Sequence, residues 1–395
     1  MPAVLVLDAN QRSALAVTRS LGARGVHIHT ADSVESSLAG ASRYSAGYLR
    51  HEDLGELPLE DTVSRFIEPL TEYCAQHGID LLFPMTEQTI AILLQHREHL
   101  TGIGLPFAGS DTIDRLADKC RLTELATSLS VPCPESVHVD PDAGAADLHS
   151  LDYPVVIKPG KSWLATASGW LHSTVSHAAD ADAAGDIIAS SPELALHPYM
   201  IQQHVPGHGS GVFAIYDHGK PLAFFAHRRI HEKPPRGGIS VICESVAVDD
   251  RLLEHSRRLL DAVQWHGVAM VEFRVDGDQA WLMEVNTRFW GSLQLSIDAG
   301  VDFPWMLYQL SRGQPPEAVE GYREGVRLRW LFGDLDWLYL VIKDSEFGLM
   351  KKLGAVLNFL FIAPFTSRHE INRLSDMAPF RLELRQYLAH VFRRH

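Results

Sequence analysis

The stretch Val268–Gly291, VAMVEFRVDGDQAWLMEVNTRFWG, holds Glu272, Glu284, Asn286 and Arg288 within two β-rich runs. Asp276-Gly277 separates Ala269–Val275 from Gln279–Val285, a strong hairpin signal. A hairpin folds Glu272 back towards Glu284, so two carboxylates and the amide oxygen of Asn286 converge. Hard oxygen donors of this kind suit Mg²⁺, which is usually held by one or two carboxylates together with substrate phosphates. Arg288 would then meet phosphate or carboxylate oxygens with its planar fork.

Other cations need partners. Tyr153-Pro-Val-Val-Ile-Lys158-Pro-Gly places Lys158 at the end of a buried strand, Val155–Ile157, where an unpartnered charge is costly and an anionic ligand fits. The following stretch, Pro159–Gly169, is small and polar and reads as a flexible loop able to close over phosphates through backbone N–H groups; Lys161 lies in it. Arg228, Arg229, Lys233 and Arg236 cluster in HRRIHEKPPRGG, where Pro234-Pro235 and Gly237-Gly238 impose a shaped loop. Such a loop would clamp phosphates and a substrate carboxylate, so Arg228 and Lys233 join Arg288 as candidate catalytic cations. His96-x-x-His99 has metal-ligand spacing, but it reads as a solvated helix face.

The wording Glu-x11-Glu-x-Asn-x-Arg, with MVEF and MEVNTRFWGSLQLSIDAGVDFP around it, resembles the metal-binding end of the ATP-grasp superfamily, and within it the bacterial carboxylate–amine ligases and carboligases. The resemblance is close over Ala108–Gly313 and loose before it. It implies that Lys119 and Lys158 hold the nucleotide phosphates and that the Pro159–Gly169 loop with Lys161 covers them. It sets Gln203 and Val205 at the adenine edge. Many relatives hold the ribose with an acidic residue just beyond that hinge; here His208-Gly-Ser210-Gly stands instead, leaving His208 or Ser210 for the contact. Glu272, Glu284 and Asn286 would bind Mg²⁺, or Mn²⁺ in its place, and ATP would be bound with it.

The implied reaction is ATP-dependent ligation. A carboxylate becomes an acylphosphate, and an amine then displaces phosphate to give an amide. The alternatives are a carboxylase-type enzyme of the same superfamily and a nucleotide-binding regulatory protein without catalysis. No Ser-His-Asp or paired-carboxylate hydrolase pattern competes.

The surrounding elements must position these groups. Ala3–Leu7, Ser13–Leu21 and Val26–Thr30 read as a β-α-β opening without GxGxxG, so dinucleotide binding is not supported. Thr62–His77 and Glu87–Glu98 read as helices, with Asp80–Phe83 and Leu105–Ala108 as strands. Ser110–Leu129 reads as one helix capped by Ser110 or Asp111. The expected class is α/β, with α+β character in the ATP-grasp module. A doubly wound N-terminal domain (1–109) precedes a two-lobed module (110–315, small lid lobe about 150–205) and an α-rich C-terminal extension (316–395).

The chain has 395 residues, 46% of them hydrophobic, enough for two or three domains. Net charge is −14 with no basic block, which speaks against nucleic acid and requires any nucleotide site to carry its own Lys and Arg. Four cysteines without metal spacing fit a reducing cytoplasm. The N-terminus reads as a strand and not a signal peptide. No run reads as a spanning helix. Leu353–Phe365 is apolar but interrupted by Gly354, Asn358 and Pro364. Lys351, Lys352 and Arg368 permit contact of 350–365 with a membrane surface, although burial against the module or a partner chain is the stronger expectation. The sequence also permits a homodimer through the N-terminal domain or the tail. The substrates expected are a small carboxylate and a small amine.

Overall fold

The computed structural model describes residues 3–142, 144–166, 169–235, 238–314 and 316–393. The class is mixed α/β. The first sheet is parallel, with order β3-β2-β1-β4, built from β1 (Ala3–Val6), β2 (His27–Asp32), β3 (Ser45–Arg50) and β4 (Ile79–Phe83). Helices α1 (Arg12–Gly22), α2 (Glu68–His77) and α3 (Glu87–Gln95) connect and cover it. β1 is fully buried, as an apolar run with helices on both sides should be. The short strand expected at Leu105–Ala108 is absent; a single bridge, Leu81 to Gly104, stands in its place. Asp8, in the left-handed region (φ 54°), accepts from the Met85 and Thr86 N–H groups and from the Thr89 hydroxyl. It thereby fixes the turn that launches α3 and sets Glu87 in that helix's first turn.

The stretch expected as one helix is two, α4 (Ser110–Ala117) and α5 (Lys119–Ser128). Asp118 breaks them. Its backbone is extended and its carboxylate accepts from the Cys120 and Arg121 N–H groups, an N-cap inside the sequence run. Neither Ser110 nor Asp111 is the cap of α4; Gly109 holds that position. An antiparallel sheet follows, order β5-β10-β6-β9: β5 (Ser136–Val139), β6 (Val155–Pro159), β9 (Ser176–Ala178) and β10 (Tyr199–Gln203), backed by α6 (Ala181–Ser190). The stretch read as an irregular loop is instead largely a two-stranded hairpin, β7 (Trp163–Thr166) with β8 (Gly169–His172). The Trp170 N–H donates to Gly55 O, so the hairpin rests on the N-terminal unit.

The largest sheet has order β15-β14-β11-β12-β13-β16-β17. It comprises β11 (His208–Asp217), β12 (Lys220–Lys233), β13 (Ile239–Val246), β14 (Gly267–Asp276), β15 (Gln279–Asn286), β16 (Arg327–Arg329) and β17 (Arg368–His369), with α7 (Asp250–Ala262) against it. After α8 (Leu293–Ala299) and α9 (Phe303–Ser311), the C-terminal segment therefore extends this sheet. It adds α10 (Leu331–Lys343), α11 (Leu349–Leu357), α12 (Ala363–Thr366) and α13 (Ala378–Arg393).

Gly354, Asn358 and Pro364 do not interrupt helicity. A π turn, Asn358–Ile362, joins α11 to α12 just before Pro364, where the ring cannot donate a helix bond. Leu349–Thr366 is thus 18 continuous helical residues of mean hydropathy 1.3, long and apolar enough to cross a membrane by length and composition, contrary to the reading of an interrupted run.

The C-terminal residues clasp α1. Arg19 Nε donates to Asp376 Oδ2 at 2.9 Å, and its Nη groups donate to the Glu370, Ile371 and Asp376 carbonyls. Arg12 pairs with the buried Glu370. Arg373 reaches Asp298 at the end of α8. A buried charge of this kind is tolerable only with its donors filled, and the Arg19 guanidinium meets that condition.

Candidate active site

Strands β14 and β15 pair with Glu272 directly opposite Glu284 and Met270 opposite Asn286. Gly277, with φ 55°, makes the turn that an Asp-Gly pair favours. The two carboxylates therefore stand on the same face of the strand pair. Asn286 Nδ2 donates to Glu284 Oε1 at 3.1 Å. Burial lifts Glu272 to about 7; Arg229 pulls it down and the Glu284 charge pushes it up. Burial also opposes ionisation of Glu284, but Lys119, the Asn286 amide, the contact with Glu272 and Arg288 together hold it below the usual carboxylate range. Two carboxylates and an amide oxygen so apposed are a donor set suited to a hard divalent cation, which would relieve their repulsion.

Lys119 is buried, because the Asp118 break turns α5 towards β6. Its N–H donates to Gly160 O at 2.8 Å, and its Nζ stands 3.4 Å from Ser162 Oγ and 3.8 Å from Glu284 Oε2. Lys158 Nζ donates to Gln202 Oε1 at 2.6 Å across the β6–β10 pair. Burial lowers Lys158 to about 8, with Glu284 pulling it up and Lys119 and Arg274 pressing it down. Lys119, Lys158, Glu272, Glu284 and Asn286 therefore lie within one electrostatic neighbourhood. Arg288 joins it, and its Nη2 is 3.2 Å from Glu87 Oε1 of α3.

The remaining candidates are placed differently. Lys161 pairs with Asp114 at 2.8 Å on the rim of a cavity of about 490 Å³ that also meets Glu87, Trp163 and Thr287. Gln203 is exposed, and its N–H is engaged by Glu135 O; Val205 is buried. His208 is exposed at the start of β11 and lines a second cavity, of about 460 Å³, with Ser210 and Arg274.

The basic stretch is strand and not shaped loop as far as Lys233, so its side chains alternate. Arg228 takes the face away from Glu272 and pairs with Glu244, which Arg327 also holds. Lys233 is committed to Asp336 of α10 and stands over the Trp330 ring. Neither cation is free for the metal end. Arg236 and Gly237 lie outside the described residues.

Arg229 takes the opposite face, where it bonds Glu272 and, at 3.1 Å, Glu232. It crosses β11 to do so, over Gly209. A Cβ at Gly209 would already stand 3.5 Å from Arg229 Nη1. The Gly-x-Gly at the start of β11 was the available signal, and strand parity was the missing one. Gln202 was missed for the same reason: it shares the Lys158 face of the sheet, and Gln203 takes the other.

Outside this region His96, Glu98 and His99 come together, as do Asp217, His218 and His266, each set with ligand atoms within 4.8 Å of one another. Glu98 thus stands beside the His96–His99 pair that the sequence reading took for a solvated helix face. Both sets are partly exposed.

One titration follows directly. At pH 8 about half of Lys158 is neutral, and an anion bound there favours the charged form. Nucleotide binding should then take up protons, and affinity should fall as pH rises above about 8, approaching tenfold per pH unit for one proton. Calorimetry in two buffers of unlike ionisation heat reads the uptake. Equal heats at pH 8 would show that Lys158 is already charged there, against a value pushed down to about 8.

Residues 195–333 match a family model described as ATP-grasp in the biosynthetic pathway with Ter operon. Among solved structures, the chain is similar to an L-amino acid ligase from Bacillus licheniformis, at 16% identity and TM-score 0.62, covering 83% of this chain and 78% of that one. It is similar to a biotin carboxylase from Campylobacter jejuni, at 15% identity and TM-score 0.59, covering 83% and 74%. It is also similar to an N5-carboxyaminoimidazole ribonucleotide synthetase from Thermus thermophilus, at 16% identity and TM-score 0.58, covering 82% and 81%. The chain shares the fold of these structures, and its segment 195–333 matches an ATP-grasp family model.

Proposed function

We propose that the protein is an ATP-dependent ligase that activates a small carboxylate as an acylphosphate and joins it to an amine, releasing ADP and phosphate. The observation that carries this reading is the apposition of Glu272, Glu284 and Asn286 with the cations Lys119, Lys158 and Arg288 around them. A regulatory nucleotide binder has no need of a paired carboxylate site ringed by cations in this way. The ligase name of one structural neighbour agrees with the reading; the carboxylase names of others keep bicarbonate as the rival acid substrate.

Lys119 and Lys158 would hold the nucleotide phosphates as charge-assisted donors. Glu272, Glu284 and Asn286 would hold Mg²⁺, or Mn²⁺, which when bound neutralises β- and γ-phosphate charge. Arg288, steadied by Glu87, would face the oxygens of the transferring phosphoryl group, and Arg229 would orient Glu272. The β7–β8 hairpin would exclude water, protecting an acylphosphate from hydrolysis. Position and charge supply most of the catalysis in such chemistry. The substrate carboxylate oxygen attacks the γ-phosphorus and ADP leaves; the amine nitrogen then attacks the acyl carbon and phosphate leaves. The cavity beside Glu87, Thr287 and Trp163 is the proposed place for the organic substrate. A cytoplasmic location goes with this reading and with the four free cysteines.

The test is ADP and phosphate release from Mg-ATP with pools of carboxylates and amines, followed by mass spectrometry. Release that needs both pools, with a product lighter by one water than their sum, is the expected result. Release that needs bicarbonate and no amine would replace the ligase with a carboxylase. Nucleotide binding without release in any pool would shift the reading to a regulatory binder.

A further inference from the structure

The helical segment Leu349–Thr366 turns its small residues inward and its large ones outward. Ala355 and Ala363 are buried, and Val356 and Phe359 pack beside Leu338 and Val341 of α10. Phe359 O accepts from Arg329, and the Asn358 amide meets His231, so the segment is fixed lengthwise along the module. The outer stripe is Met350, Leu353, Leu357, Phe361 and Phe365, 46–84% exposed and spaced three or four apart, with Leu360 and Ile362 beside it. Monomeric soluble surfaces seldom leave so continuous an apolar row uncovered.

Charge says what covers it. The whole chain carries −14, yet between Leu349 and Arg368 the charged residues are Lys351, Lys352 and Arg368, with no carboxylate. An apolar stripe with lysines on its margin matches a bilayer interface with anionic headgroups, into which such a helix sinks by part of its diameter while the cations meet the lipid charge. Spanning would tear Phe359, Asn358 and the two alanines from their contacts, whereas lying flat keeps them.

We propose that Leu349–Thr366 docks this protein on an anionic membrane surface, parallel to the bilayer plane. This stands apart from the catalytic reading, since none of these residues belongs to the metal or phosphate cluster.

The experiment is flotation of the full chain with vesicles of phosphatidylcholine alone and of phosphatidylcholine mixed with phosphatidylglycerol. Binding to the mixed vesicles, weakening with salt, is expected. Lys351→Ala with Lys352→Ala should lower that partitioning by roughly thirtyfold. Leu357→Asp with Phe361→Asp should abolish it, while both variants stay folded in a thermal scan. Three results would overturn the proposal. The wild type stays with the soluble fraction at every lipid concentration. The wild type is a dimer in light scattering that Leu357→Asp with Phe361→Asp converts to monomer, which assigns the stripe to a second copy. Or the membrane-bound chain resists alkaline extraction, which assigns it to a span.

Discussion

Glu284→Gln should lower Mg-ATP turnover by at least roughly a hundredfold while leaving the fold unchanged. Glutamine keeps the shape of the side chain and the contact with Asn286. It removes one of two apposed negative charges and the anion that Lys119 faces at 3.8 Å. Without a metal bound, melting temperature should stay level or fall slightly, because the repulsion between positions 272 and 284 is relieved while the charge that Lys119 and Arg288 favour is lost. Steady-state ADP release and a thermal scan on the same preparation separate the two effects. Turnover within tenfold of wild type would remove Glu284 from the metal site.

Asp334→Ala should destabilise the chain by about 3–5 kcal/mol, through a buried pair left half filled. Arg329 and Asp334 are 1% and 0% exposed, and Nε meets Oδ2 at 2.7 Å. The second carboxylate oxygen takes His231 Nδ1 at 2.8 Å, and the His231 ring stacks on Trp337 at 3.5 Å. Removing the carboxylate strands a guanidinium in the interior and frees a histidine two residues from Arg229. Asp334→Asn, which keeps hydrogen-bonding atoms but no charge, should cost less. Denaturant midpoints for the three proteins order the effects; a loss below about 1 kcal/mol for the alanine variant would show that solvent reaches Arg329.

Why some of this was readable in the sequence and some was not comes down to parity and caps. Alternation about the Asp-Gly turn made the hairpin legible, but by itself it pairs Glu272 with Met283; the register shift between Glu272 and Phe273 brings Glu284 opposite instead, and nothing local announces that bulge. Lys158 was legible because a lysine after Val-Val-Ile has few places to go. Arg228 and Arg229 are neighbours in sequence with opposite fates, and the pairing of β12 with β11 and β13 decides between them; irregular register after Arg229 obscures the alternation further. Gln202 and Gln203 differ in the same way through the pairing of β10 with β6. Asp118 inside SDTIDRLADKCRLTELA looks like an exposed helical position until its carboxylate is seen to cap the next helix. The β7–β8 hairpin was hidden because the Gly and Ser residues around it read as loop, although Trp163-Leu164 and Trp170-Leu171 carry the two strands. β3, SAGYLR, was hidden because it is a half-exposed edge strand with little apolar patterning.

The clasp of α1 by the C-terminal segment has a consequence for biosynthesis. Arg19 and Asp376 are 357 residues apart, and Arg12 and Glu370 are 358 apart. During translation the N-terminal sheet emerges first, but Arg12 and Arg19 wait, uncompensated, until nearly all of the remaining chain has been made. Contacts closed over such separations form late and slowly. The nascent protein should therefore spend most of its synthesis with a loosely seated first helix, and a ribosome stalled before residue 370 should present a protease-sensitive α1 that the released chain protects.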